Sequence, residues 1–194
     1  VPTVRSGREI EIKFKSDLSA QDIASRLQAI DGVAETGTQD LRTLYFDTPS
    51  NDLRKNGIAL RVRRKGRSAP VQAIKSLNAS GSVPFARTEI EVRSKGDAPD
   101  LSLFKKGAAA GLLRIVGNNP LELKFETQLK RQTKILSSGS SKVELALDEG
   151  HIVHGETRLP LNEVELELKS GNVTDLCEVE LKLEHDLALR LELV

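Results

Sequence analysis

Strict alternation between charged and apolar residues marks four segments of this sequence, which are 9–15, 58–65, 87–93 and 163–169. In the first segment, Glu9, Glu11 and Lys13 alternate with Ile10 and Ile12. A period of two residues places successive side chains on opposite faces of a β-strand. The remaining strands are predicted from weaker patterns over 40–47, 71–77, 121–136, 141–148, 151–158 and 187–193. The chain is therefore predicted to consist mainly of antiparallel strands.

Helices are predicted over about 20–30, 50–56, 100–116 and 173–185. Ser19 and Asp22 form a capping arrangement for the first helix, and Gly57 is a stop signal for the second. No long or low-complexity linker divides the 194 residues, a length that fits one domain. We therefore predict a single α+β domain over residues 1–194.

The charged faces of the strands suggest a lumen. If the strands close into a barrel, one face of each strand points inward. Apolar faces turned outward beneath covering helices would leave a lumen lined with both carboxylates and cations. Guanidinium and ammonium groups hold phosphate oxygens, and clustered carboxylates hold a hard divalent cation. Hydrolysis of a phosphoanhydride needs this combination together with an oriented water.

Composition excludes several function classes. Lys and Arg number 29 and Asp and Glu number 28, so the overall charge does not favour general binding to nucleic acid or a membrane surface. Aromatic residues make up only 3%, which leaves few stacking platforms for nucleic acid. The single cysteine, Cys177, forms no internal disulfide and fits a reducing compartment. We expect a cytoplasmic protein whose partner is a small molecule, and we leave a homodimer open.

Several motifs, in order along the chain, resemble those of the CYTH domain, or triphosphate tunnel metalloenzyme, family. The segment from Glu9 to Lys13 matches the Glu-x-Glu-x-Lys signature that opens such domains. Further matches lie at residues 45–49, 56–63, 72–75, 87–91, 144–150 and 163–171. The resemblance covers about residues 8–193. It implies an eight-stranded antiparallel β-barrel that forms a tunnel, with flanking helices.

The resemblance also implies roles for individual residues. The metal, Mg²⁺ or Mn²⁺, would be held by carboxylates, which are Glu9, Glu11, Glu163, Glu165, Glu167 and Asp148. The phosphates would be bound by Arg61, Arg63, Lys75, Arg87, Arg131 and Lys169. The predicted catalytic residues are Lys13, near the reacting phosphoryl group, with Glu165 and Glu167, which would position water. For Arg87, Glu89 and Glu91, ion pairing inside the lumen is an equal alternative.

The predicted function is metal-dependent hydrolysis of a triphosphate, with inorganic triphosphate as the first choice and diphosphate and phosphate as products. The alternatives are a class IV-type adenylate cyclase, a thiamine or nucleoside triphosphatase, and a non-catalytic polyphosphate-binding module. The carboxylates predicted to bind a metal and the cations predicted to bind phosphate are both present, which favours catalysis over binding alone. Scarce aromatic residues disfavour the cyclase, which needs a nucleoside pocket.

Overall fold

A closed antiparallel barrel organises the structure. The computed structural model describes residues 4–27, 33–77, 85–104, 109–187 and 192–193. In chain order the elements are β1 (Val4–Lys15), α1 (Ala20–Leu27), β2 (Val33–Asp47), α2 (Asp52–Lys55), β3 (Ile58–Lys65), β4 (Val71–Leu77), β5 (Ala86–Arg93), a 3₁₀ turn (Leu101–Leu103), α3 (Ala110–Val116), β6 (Glu122–Ser138), β7 (Ser141–His154), β8 (Thr157–Ser170), α4 (Val173–Leu187) and β9 (Glu192–Leu193).

Eight strands form the ring, and β1 completes it. The hydrogen-bonded order is β5-β4-β3-β2-β6-β7-β8-β1. The first part of β1 pairs with β5, from Val4 opposite Val92 to Ile10 opposite Ala86. The second part, from Glu11 onward, pairs with β8. The short β9 adds a pairing at the end of β1. The predicted eight-stranded antiparallel barrel with flanking helices is confirmed.

The apolar strand faces point outward into two cores beneath the helices. One core packs β1, β7 and β8, including Phe14 and Leu166, against Leu27 of α1 and Leu176 of α4. The other packs β3, β4 and β5 against α2 and α3. Each fully buried large apolar side chain contributes about 1.5–3 kcal/mol. Because the outer faces supply the cores, the charged faces of the alternating strands are left inside the barrel, as the sequence predicts.

The turn after β2 is organised by one buried carboxylate. Asp47 is 6% exposed, and its side chain accepts hydrogen bonds from the backbone N–H groups of Thr48, Leu53 and Arg54 at 2.7, 2.9 and 3.0 Å. These include the otherwise unpaired N–H groups at the start of α2. The turn therefore fixes where β2 ends and β3 begins, and with them the pairing of the two strands in the barrel wall.

The strand predicted over 151–158 is wrong. β7 continues to His154, a turn follows, and β8 begins at Thr157. Gly155 has a φ of +56°, the left-handed conformation that glycine adopts without a steric cost. Gly150, which falls between the strands predicted over 141–148 and 151–158, lies inside β7, where an added Cβ would stand 2.0 Å from the Gln128 carbonyl oxygen. Gly150 is therefore a position where the backbones of β6 and β7 approach each other closely.

Further boundaries differ from prediction, including the start of β2 at Val33 rather than at residue 40. The segment predicted as one helix over 100–116 contains the 3₁₀ turn and the shorter α3, with 105–108 outside the described residues. The segment predicted as a strand over 187–193 begins with Leu187, the last residue of α4, and ends with β9, while 188–191 lie outside the described residues. The end of the helix predicted over 20–30 also falls on residues that are not described, since 28–32 lie outside.

Candidate active site in the barrel lumen

A cavity of about 680 Å³ lies inside the barrel. Among the described residues, eight basic and seven acidic side chains line it. Nine predicted site residues belong to this lining: Glu9, Glu11, Arg61, Arg63, Lys75, Arg131, Glu165, Glu167 and Lys169. Of the other four, Arg87 and Asp148 reach the lining through ion pairs, while Lys13 and Glu163 pair with each other. The near balance of charge lets the lumen side chains neutralise one another.

The pairing of β1 with β8 builds the acidic wall. Glu11 lies opposite Glu167, and Lys13 lies opposite Glu165. Burial raises the pKa of Glu11, and the neighbouring Glu165 raises it further. Burial also raises the pKa of Glu9, and the neighbouring Glu89 raises it further. Burial raises the pKa of Glu167 as well. Carboxyl groups with raised pKa values are poised to gain from a nearby cation.

Lys75 and Arg87 neutralise the β1 end of this wall. The Lys75 ammonium lies 2.7 Å from Glu9, 3.3 Å from Glu11 and 3.8 Å from Glu89. Arg87 donates to the other oxygen of Glu11 at 2.8 Å. Lys75 comes from β4 and Arg87 from β5, so these contacts join β1 to its neighbour β5 and to β4, the next strand around the ring. Arg87 and Glu89 both form ion pairs within the lumen in this arrangement.

Arg131 holds two carboxylates at once. Its Nε and Nη2 donate to the two oxygens of Asp148 at 2.7 and 2.6 Å, and Nη2 also contacts Glu165 at 2.5 Å. Burial alone would raise the pKa of Glu165, but Arg131 and Lys13 outweigh burial and hold it well below its usual value. Glu165 is therefore ionised at neutral pH. Both Asp148 oxygens are engaged by Arg131 in this arrangement.

Two arginines of β3 supply the basic wall. Arg61 donates to Glu89 at 2.7 Å, while its Nε is buried without a partner in the described structure. Arg63 donates through Nε to the Thr43 hydroxyl at 3.0 Å. Burial lowers the pKa of Arg63 to about 10, and the nearby cations Arg61 and Arg131 add to that effect. Arg63 stays charged at neutral pH, and among the buried lumen cations its charge is the least compensated by nearby carboxylates.

Two lysines complete the lumen pairs. Lys13 donates to Glu163 at 3.2 Å. Burial opposes its charge, but Glu165 and Glu163 outweigh burial and raise its pKa. Lys169 lies 3.0 Å from Glu167 and 3.7 Å from Glu144.

Some lining residues were missed from the sequence. Arg5 lines the cavity because β1 begins at Val4, earlier than the predicted start. It shares the period-two face of Glu9, which was the available signal. Glu144 also lines the cavity, two positions before Ala146 on the face that carries Asp148. Its alternation within 141–148 could have revealed it.

The donor set suits a hard cation, although the carboxylates are turned toward basic partners. Glu9, Glu11, Glu165 and Glu167 line one cavity and offer the oxygen ligands that Mg²⁺ and Mn²⁺ accept. In the described part of the chain, no three acidic, His or Cys side chains are grouped as a metal site. The physical reason is the ion pairs above: a metal would need these carboxylates to exchange Lys or Arg partners for the ion.

A second cavity, of about 450 Å³, lies beside the end of β2. Tyr45 and Phe125 line it, opposite each other across β2 and β6, with ring centroids 4.5 Å apart and an interplanar angle of 17°. Tyr45 lies directly opposite Arg61 of the lumen in the pairing of β2 with β3. Arg54 and Lys124 add positive charge to this cavity. Half-buried aromatic side chains thus stand next to the charged lumen.

Comparisons with known proteins indicate one family for this chain. A sequence profile described as the CYTH domain matches residues 7–192. An inorganic triphosphatase from Haemophilus influenzae is 28% identical over 142 residues, which cover 70% of this chain and 38% of that protein. The chain spans less than half the length of the curated relatives it matches.

Solved structures share the fold. A candidate adenylate cyclase from Bacillus halodurans aligns with a TM-score of 0.59 at 18% identity, covering 96% of this chain and 93% of that one. A candidate adenylyl cyclase from Hippeastrum with a dominant triphosphatase activity aligns with a TM-score of 0.54 at 17% identity, covering 96% and 90%. Identities this low support the fold alone. Among the described helices, none has the length and apolar character needed to cross a bilayer.

Proposed function

The chain belongs to the CYTH domain family, and from that premise we propose that it hydrolyses inorganic triphosphate to diphosphate and phosphate with Mg²⁺ or Mn²⁺. We further propose that residues 1–194 act as one CYTH domain. The observation that most supports this function is the division of one cavity into two walls. Four carboxylates from β1 and β8 share the 680 Å³ cavity with the cations of β3, β4 and β6.

Substrate binding would exchange partners within the lumen. Phosphate oxygens would become the binding partners of five cations, since guanidinium and ammonium groups bind these oxygens well. The five are Lys75, Arg61, Arg63, Arg131 and Lys169. Lys75 now neutralises Glu9 and Glu11. Its transfer to a phosphate would free both carboxylates for a metal ion. The two sets of charges would therefore be satisfied again when triphosphate and a cation are both bound.

The acidic wall would hold the cation and orient water. Glu9, Glu11, Glu165 and Glu167 are the proposed ligands, with Glu163 and Asp148 as further candidates. A divalent ion there would neutralise charge on the phosphate oxygens. Glu167, whose pKa is raised by burial, is suited to accept the proton of the attacking water. The water oxygen bonds to the terminal phosphorus, and the bridging oxygen leaves with diphosphate.

Lys13 would stabilise charge at the reacting phosphoryl group. Its ammonium lies beside Glu163 and is influenced by Glu165, so it stays protonated. A fixed positive charge where negative charge develops lowers the barrier more than it strengthens substrate binding. Arg87, which is paired with Glu11, would contact the substrate once that carboxylate turns to the metal.

The test is phosphate release from inorganic triphosphate, ATP and thiamine triphosphate, each with Mg²⁺, Mn²⁺ or EDTA. We expect release from inorganic triphosphate that stops in EDTA. Lys75→Gln should lower kcat/KM about 100-fold. The matched control is Lys130→Gln, since Lys130 is exposed on β6. Equal activity of the two variants, or release that persists in EDTA, would refute the proposal. Binding without release would instead indicate a polyphosphate-binding module.

A second candidate function is hydrolysis of an organic triphosphate, and the aromatic cavity favours it. Tyr45 and Phe125 offer a stacking surface, in a volume within the range of small-molecule pockets. Phe125→Ala should then lower kcat/KM for ATP or thiamine triphosphate by about tenfold, as loss of a stacked ring does for bases, and leave inorganic triphosphate unchanged. An unchanged ratio between substrates would remove this candidate. Cyclic AMP in the ATP reaction would indicate a cyclase.

A further inference from the structure

Arg63 differs from the other buried cations of the lumen. Arg61, Lys75 and Arg131 each have a carboxylate oxygen within 4 Å, as does the more exposed Lys169. Arg63 has none among the residues that the structure describes; its recorded side-chain hydrogen bond goes to a hydroxyl. It nevertheless lines the cavity and is only partly exposed. An incompletely compensated cation next to a cavity is the group that gains most when an anion binds.

The hydroxyl belongs to Thr43, which lies opposite Arg63 in the pairing of β2 with β3. Thr43 is 0% exposed, and its Oγ1 accepts the Nε–H of Arg63 at 3.0 Å. Nε lies in the plane of the guanidinium group, so this contact fixes the plane. The two Nη groups, with four N–H donors between them, are then presented as a fork, the geometry that binds phosphate oxygens in pairs.

We propose that Thr43 is a positioning residue for substrate binding, which holds the Arg63 guanidinium so that both of its Nη groups face the phosphate oxygens. The inference rests on the proposed function of the lumen as a triphosphate site. Thr43 touches neither the substrate nor the reacting atoms in this role. Because a valine is nearly the same shape as threonine, loss of the hydroxyl alone should disturb Arg63 while the barrel wall stays filled.

The fold provides a matched control on the neighbouring strand. Thr127 of β6 lies directly opposite Thr43 on the other side of β2. It is 5% exposed, and its hydroxyl has no hydrogen-bond partner in the described structure. The two threonines therefore have the same side chain and nearly the same depth. They differ in that Thr43 holds Arg63.

The experiment measures binding of imidotriphosphate, whose bridging nitrogens resist hydrolysis, by calorimetry with Mg²⁺, alongside KM and kcat for triphosphate. Thr43→Val should weaken binding and raise KM about tenfold, the effect of losing one hydrogen bond to a charged group, with kcat changed less. Thr43→Ser should restore both values. Thr127→Val should bind as the wild type does. Equal losses in the two valine variants, or no rescue by serine, would overturn the role.

A double-mutant cycle separates positioning from general damage. In an Arg63→Gln background, Thr43→Val should cause no further loss of imidotriphosphate affinity, because there is no guanidinium left to hold. A further tenfold loss of affinity in the double variant would show that Thr43 acts by another route and would overturn the proposal. This comparison holds even if Thr43→Val alone lowers stability. A wild-type chain that fails to bind imidotriphosphate would instead refute the proposed function, and this role with it.

Discussion

Replacement of Arg131 by Gln should strongly destabilise the protein. Arg131 makes three hydrogen bonds to Asp148 and Glu165, and these carboxylates are only 3% and 8% exposed. Removal of one partner from a buried ion pair costs about 3–5 kcal/mol, because the remaining charge is left without compensation. In a domain of this size that corresponds to a fall in Tm of roughly 6–20 °C.

The matched control is Arg42→Gln. Arg42 also bridges two carboxylates, Asp97 at 2.9 Å and Glu126 at 2.6 Å, but its side chain is 46% exposed. Exposed pairs contribute about 1 kcal/mol or less. Circular dichroism melts of both variants in EDTA give the comparison. If Arg42→Gln lowers Tm as much as Arg131→Gln, burial does not determine the value of these contacts and the reasoning is wrong.

The pH dependence supplies a second check on Arg131. Arg131 and Lys13 hold the pKa of Glu165 well below 4.5. The stabilisation that comes from these contacts of Glu165 is therefore fully present above pH 4.5. It is lost as pH falls through the lowered pKa of the folded state. The difference in unfolding free energy between wild type and Arg131→Gln should therefore narrow in acid. A difference that stays constant from neutral pH into strong acid would contradict this assignment.

Three other substitutions test the effects of burial and close packing. Burial raises the pKa of Glu11 above 4.5, so the contribution of Glu11 to stability is present below pH 4.5 and is lost as pH rises through the pKa of the folded state. In urea melts with EDTA, Glu11→Gln should therefore gain stability relative to wild type as pH rises. A difference in unfolding free energy that does not change with pH would contradict this. Gly150→Ala places a Cβ 2.0 Å from a backbone oxygen and should lower the unfolding free energy by about 1–3 kcal/mol. Gly111→Ala, with open space in α3, should instead raise it by about 0.5–1 kcal/mol, and equal effects of the two alanines would refute the close-approach explanation.

The alternation predicted a charged strand face, and the family resemblance predicted the eight-stranded barrel that encloses it. Alternation determines which side chains share a face, and the two apolar cores account for why the charged face turned inward. Local patterns failed where a backbone contact from another strand decides the outcome. The predicted break between 148 and 151 lies at Gly150, which packs closely against β6 inside β7, and the true hairpin turn follows five residues later, at Gly155.

The partners of individual charges could not be predicted in the same way. Lys75 contacts Glu9, Glu11 and Glu89 because of the register in which β1, β4 and β5 are arranged. The register between distant strands cannot be predicted from the sequence of either strand alone. Thr43 escaped notice for a related reason. A neutral threonine in a strand is ordinary, and its relation to Arg63 exists only across the β2–β3 pair.

The position of β1 has a consequence for how the protein acquires activity. This first strand carries Glu9 and Glu11, yet its partners lie on β5 and β8, and Lys13 reaches Glu163 across 150 residues of chain. Contacts between such distant segments form late, because a long loop must first be closed. The local hairpins of β6, β7 and β8 can form earlier without any site between them. During refolding, triphosphate binding should therefore recover with ring closure and lag behind the far-ultraviolet signal of the strands.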